Sequence, residues 1–128
     1  MAESGRGSRR FGELQIAILR VLWQRGEANV EEICEDLAPE KDVAYSTVST
    51  VLTRLLDQNV VSRTKEGRRF VYRAELEEDQ VRGSMVEELL DRAFGGDPAR
   101  LVGHLLRRDE LGDADLDRLR ELIEKRKG

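Results

Sequence analysis

The 128-residue chain has one cysteine, Cys34, and one histidine, His104. A single cysteine excludes an intrachain disulfide. Together the two leave too few nitrogen and sulfur ligands for a zinc or copper site within one chain, and no carboxylate run has the spacing of a calcium loop. A hydrolytic triad needs a histidine beside a nucleophile, and His104 lies in a predicted helix with no such neighbour. Gly95-Gly96 lacks the lysine of a phosphate-cradling loop. No enzyme, cofactor or metal is expected. No apolar run approaches the ~20 residues of a membrane span. The N-terminal MAESGRGSRR carries charge but no apolar segment comes after it, unlike a signal peptide. A cytoplasmic protein without membrane insertion is the expectation.

Positive charge is outnumbered. The chain has 22 Lys/Arg against 26 Asp/Glu, a formal net charge of −4. The distribution matters more than the total. Residues 1–73 carry 12 basic and 11 acidic residues, and residues 74–128 carry 10 and 15. Between Val43 and Arg73 there are six Lys/Arg and only two Asp/Glu. Hydrophobic residues make up 39% and charged residues 38%, as in a soluble, helix-rich chain of one domain, or one domain with an extension.

The stretch from Val43 to Ala74 carries the clearest pattern. Val48, Val51, Leu52, Leu55 and Leu56 repeat at helical spacing and define one apolar face. The other face has Ser46, Ser49, Thr50, Thr53 and Asp57, with Thr47 and Arg54 on its flank. Short hydroxyl side chains let a helix backbone approach a surface and can bond phosphates or base edges. The helix would span ~18 Å, a fit to a recognition helix in a groove. A plain amphipathic helix is the bland alternative. The residues C-terminal to this helix favour the first reading. Val60, Val61 and Ser62 are β-prone, Arg63, Lys65, Arg68 and Arg69 crowd around Glu66-Gly67, and Phe70, Val71 and Tyr72 form a return strand. A hairpin with cations at its tip is the wing of a winged helix, placed to ride on the phosphate backbone. A solubilising edge hairpin is the alternative.

The flanks complete the order. Residues 1–10, with Arg6, Arg9 and Arg10, read as a disordered basic arm. Gly12 to Arg25 reads as a helix whose stripe of Leu14, Ile18, Val21 and Leu22 is broadened by Ile16, Leu19 and Trp23, and Trp23 reads as core. Gly26 stops it. Asn29 opens the next helix with Glu32 as capping-box partner. Val30, Ile33, Cys34 and Leu37 form its buried face, so Cys34 reads as a small core residue. Pro39 ends this helix. Residues 11–74 thus read as a winged-helix DNA-binding domain, and the fold class is mostly α with a small β-hairpin wing.

Residues 75–128 read as three further helices. The first, near Glu77 to Phe94, holds Val81, Met85 and Leu89. Gly95-Gly96 ends it, and Asp97-Pro98 restarts the chain as N-cap and first helical residue. The second holds Leu101 and Leu105. The third holds Leu116, Leu119, Leu122 and Ile123, with acids in its first turn and bases in its last. About fifty residues seldom bury an adequate core alone. A second copy of the chain would cover these stripes, so this segment is expected to be a dimerisation region. Two-fold proteins read palindromic sites.

With these elements placed, the chain resembles the BlaI/MecI penicillinase-repressor family. The likeness runs from Gly12 to Lys125 and is carried by ELQIAILRVLW (13–23), VAYSTVSTVLTRLLDQNVVSR (43–63), RRFVYRA (68–74) and GGDPARLVGHLL (95–106). It implies a homodimeric repressor of a palindromic double-stranded DNA operator. It implies groove-facing residues Ser46, Thr47, Ser49, Thr50 and Arg54, and wing cations Arg63, Lys65, Arg68 and Arg69. It also implies a membrane-bound sensor metalloprotease that cuts the fifth helix. The family is cut at Asn-Phe, where this chain has His104-Leu105, a departure that bears on cleavage itself or at least on the protease specificity it would need. Copper-responsive relatives carry a C-terminal cysteine cluster, absent here. The competing reading is a winged helix used only as a protein-interaction module, without specific DNA binding. The Arg-rich wing argues against it.

Overall fold

A computed structural model describes residues 11–128, so the basic arm expected over 1–10 lies outside the described residues. The elements are α1 (Glu13–Arg25), α2 (Val30–Leu37), α3 (Tyr45–Asp57), β1 (Val61–Glu66), β2 (Arg69–Ala74), α4 (Glu78–Ala93), α5 (Pro98–Leu106) and α6 (Asp113–Lys127). The described residues divide into two compact units at Val86 and Glu87, inside α4.

The first unit is a winged helix. Its core is built from Ile18, Leu19 and Leu22 of α1, Ile33 of α2, and Val48, Leu52 and Leu55 of α3, each at most 1% exposed. Fully burying a side chain of this size contributes roughly 1.5–3 kcal/mol. Asn29 caps α2 as expected. Its side chain accepts from Glu32 N at 2.9 Å while Glu32 Oε1 accepts from Asn29 N at 2.9 Å. Arg25 clamps the C-terminal ends of α1 and α2 together by donating to both oxygens of Asp36, at 2.7 and 3.0 Å. Trp23 packs against the core, and its indole Nε1 donates to Leu76 O at 3.0 Å.

The turn from α3 into the wing is set by Asn59, which adopts φ 62°. Val60 N bonds to Leu55 O and Asn59 N to Leu56 O, the paired bonds of a Schellman motif. Leu55 and Val60, the two residues that such a motif brings together, are both fully buried. The strands pair antiparallel from Val61↔Ala74 to Glu66↔Arg69, leaving Gly67-Arg68 as a two-residue loop. Gly67 has φ 65°. A two-residue hairpin loop with one positive φ has it at the first position, where glycine adopts it without strain. Ala28 adds a bridge on the open edge of β2, exchanging both backbone bonds with Tyr72.

One assignment from the sequence is corrected here. Val81, expected on the dimerisation surface, is 2% exposed and belongs to the core cluster of the first unit. Leu76 packs against the same cluster. The chain after Ala74 therefore contributes to the winged-helix core, and the compact unit runs on to Val86.

The second unit holds the end of α4 with α5 and α6. Gly95 and Gly96 both take positive φ, 57° and 77°, and end α4. Asp97 caps α5 by accepting from Ala99 N at 3.0 Å, with Pro98 in the first turn. Phe94 and His104 meet edge to face, with ring centroids 5.7 Å apart. Neither α5 nor α6 has a single buried residue. Leu122 is 60% and Ile123 55% exposed.

Candidate nucleic-acid interface

Helix α3, the candidate recognition helix, presents two faces because its apolar residues repeat at 3.6-residue spacing. Val48, Leu52 and Leu55 point into the core, while Ser46, Thr47, Thr50 and Arg54 are exposed. These four line one shallow depression together with the edge of Val51. Thr53 Oγ1 donates back to Ser49 O at 3.0 Å, so that hydroxyl is used within the helix. Among the described residues Arg54 makes no ion pair, and its guanidinium is available to a ligand.

Ser49, the fifth groove-facing candidate, is half-buried and faces elsewhere. It lines a cleft of ≈ 260 Å³ with Tyr45 of the same helix, Asn29 and Glu31 at the start of α2, and Arg63, Arg68 and Arg69 of the wing. The structure therefore divides the five candidates into a group of four on the outer face and one at the wing cleft. Tyr45 is a residue that sequence reasoning missed. It is 58% exposed at the first position of α3. The available signal was its spacing, four residues before Ser49, which places both on one side of a helix.

The four wing cations also separate. Register and alternation put Arg63 and Lys65 on one face of the hairpin with Tyr72 and Phe70. Arg63 lies 3.9 Å above the Phe70 ring and donates to Tyr72 Oη at 3.2 Å. Arg69 Nη1 lies 2.8 Å from Glu31 Oε1. Lys65 and Arg68 are exposed and, among the described residues, make no ion pair. Two of the cations are thus engaged within the protein and two are open. Arg73, the sixth basic residue of the region, pairs with Glu27 at 2.6 Å.

Cys34 is half-buried on α2 and packs against the core. Burial pushes its thiol pKa up, and the nearby Glu31 and Glu35 push it further. A thiol held protonated is a poor nucleophile, which agrees with a packing role. No helix among the described residues is long and apolar enough to cross a membrane.

Known proteins are similar to this chain in sequence. The sequence profile described as "Penicillinase repressor" matches residues 11–125. A penicillinase repressor from Staphylococcus aureus is 24% identical over 106 residues, covering 83% of this chain and 84% of that one. A penicillinase repressor from Bacillus licheniformis is 24% identical over 117 residues, covering 91% of both. Among solved structures, monomeric BlaI from Bacillus licheniformis in complex with the blaP half-operator is similar over 56% of this chain and 88% of that chain, with 25% identity and a TM-score of 0.49.

Proposed function

This chain belongs to the penicillinase repressor family, and on that premise we propose that it is a homodimeric, sequence-specific DNA-binding transcriptional repressor of a palindromic operator. The observation that carries the DNA reading is the pairing of two exposed surfaces in one unit. The outer face of α3 offers two threonines, a serine and Arg54, and the hairpin offers Lys65 and Arg68, three exposed cations without an ion pair among the described residues. Hydroxyls and a guanidinium can read base edges, while the tip cations neutralise phosphates beside the groove.

The homodimer is supported by α5 and α6. Both are amphipathic and neither buries a residue within one chain. A second copy supplies the missing surface, and a closed two-fold pair exposes no new apolar face. Met85, Leu89, Leu101, Leu105, Leu116, Leu119, Leu122 and Ile123 remain the candidates for it, all exposed or half-buried. Val81 is not among them.

A proteolytic switch fits the same arrangement. Cutting His104-Leu105 near the end of α5 would detach α6 and its apolar residues while leaving the winged helix whole. A membrane-bound sensor metalloprotease is the partner this would need.

The test is a gel shift with the full chain against the DNA upstream of its own gene. Retarded bands that survive excess random duplex are expected. Binding that random duplex competes away at equal concentration would instead favour a protein-interaction module.

A further inference from the structure

Glu31 and Arg69 meet at the cleft between α2 and the wing, 2.8 Å apart and more than half exposed, 55% and 60%. Two acids open α2, and they do different work. Glu32 is committed to the capping box with Asn29 and lies 3.6 Å from Arg25. Glu31 has no such task. Its carboxylate points at the wing, into a cleft that three guanidiniums line. A carboxylate presents a guanidinium with two oxygens in the geometry that a phosphate also presents. On the reading that the wing rides on the DNA backbone, Glu31 occupies at Arg69 the place a phosphate would take.

We infer that Glu31 is a built-in competitor for the DNA backbone, holding Arg69 in the free protein and yielding it to a phosphate on binding. The inference rests on the DNA-binding reading above. Displacement is feasible because an exposed ion pair is weak. Glu31 also sits in the first turn of a helix, where the dipole favours negative charge even without a partner. The exchange has a thermodynamic mark. An arginine already neutralised by a carboxylate adds little to the salt dependence of binding, because the carboxylate takes up a cation as the phosphate gives one up. An arginine without that partner adds about 0.9 to the slope of log K against log salt. Glu31 thus lowers affinity for any duplex, whatever its sequence, and leaves discrimination to the outer face of α3.

The experiment measures binding of the full chain to a random-sequence duplex across a salt series, so no operator need be known. Glu31→Gln removes the charge while keeping the shape. It should raise affinity about two- to fivefold at low salt and steepen the salt slope by about 0.9. Glu31→Ala should do the same. In an Arg69→Ala background, Glu31→Gln should change the slope by far less. Unchanged affinity and slope in Glu31→Gln would overturn the inference. So would weaker binding with an unchanged melting temperature, which would make Glu31 a residue that positions the wing. A wild-type chain that binds no duplex at any salt would sink the DNA reading itself, and this inference with it.

Discussion

The Arg63 guanidinium lies over the Phe70 ring with its carbon 3.9 Å from the ring centre, and the same side chain donates to Tyr72 Oη. Arg63 therefore braces the two strands of the wing from within. A planar cation over an aromatic face at an exposed site contributes about 0.5–1 kcal/mol. Arg63→Lys keeps the charge and loses the planar stacking and the fork of donors. It should lower stability by about that amount, as should Phe70→Leu, and the double variant should lose less than the sum. Urea unfolding monitored by circular dichroism reads this. Strict additivity would show that the two side chains do not act as a pair.

Lys65 and Arg68 should behave differently from Thr50 and Arg54. Replacing either tip cation with alanine should weaken binding to all duplexes alike and reduce the salt slope by about one. Replacing Thr50 or Arg54 should change the ranking of sequences, with about 1–3 kcal/mol lost at a base pair that is read. Binding isotherms on an operator and on random duplex, each over a salt series, separate the two behaviours. Tip variants that alter sequence ranking would mean that the wing, too, reads bases.

Leu122→Glu combined with Ile123→Glu should convert the full chain to a monomer by light scattering. Both residues are exposed, so the winged-helix core should keep its melting behaviour. Operator affinity should fall by about 10²–10⁴-fold as the second half-site is lost. A chain of residues 1–104 should show the same loss, since it lacks α6 altogether. If that shortened chain dimerises and binds its operator like the whole protein, cleavage at His104-Leu105 is not the switch.

Asp36 should titrate below the ordinary carboxylate range. The hydrogen bonds from Arg25 hold its pKa down, assisted by the charge of that guanidinium and opposed by partial burial. A carboxyl whose pKa is lowered by folding contributes stability above its unfolded value. That contribution is lost as pH falls through the folded value. In an NMR titration, Arg25→Gln should move the Asp36 midpoint back up toward the ordinary value near ~3.9. The variant should also show a flatter loss of stability below about pH 4. An unmoved midpoint would mean that the clamp between α1 and α2 is not formed in solution.

Much of this molecule was legible from residue spacing. The apolar repeats of α1, α2 and α3 put Ile18, Ile33, Val48, Leu52 and Leu55 in the core as expected. The Asn29–Glu32 box and the Gly95-Gly96-Asp97-Pro98 break also stand where local chemistry placed them. These features depend on neighbours within four or five residues along the chain, so sequence suffices to specify them.

Other features depended on contacts between distant residues. Val81, Met85 and Leu89 share one helical stripe, and periodicity cannot say which stretch of a stripe meets its own domain. Packing decided it, because Val81 reaches the core of the first unit while Met85 and Leu89 stay exposed. Likewise Arg63, Lys65, Arg68 and Arg69 are equivalent as charges on a hairpin. Hairpin register set Arg63 against Tyr72, and the approach of α2 set Glu31 against Arg69, leaving only Lys65 and Arg68 open among these four. The places of the helices, the turn and the basic cluster follow from residue order, since local sterics and periodicity act along the chain. Which wing cation is held by a carboxylate was decided only by the fold, because Glu31 and Arg69 lie far apart along the chain and meet through packing of α2 against the wing.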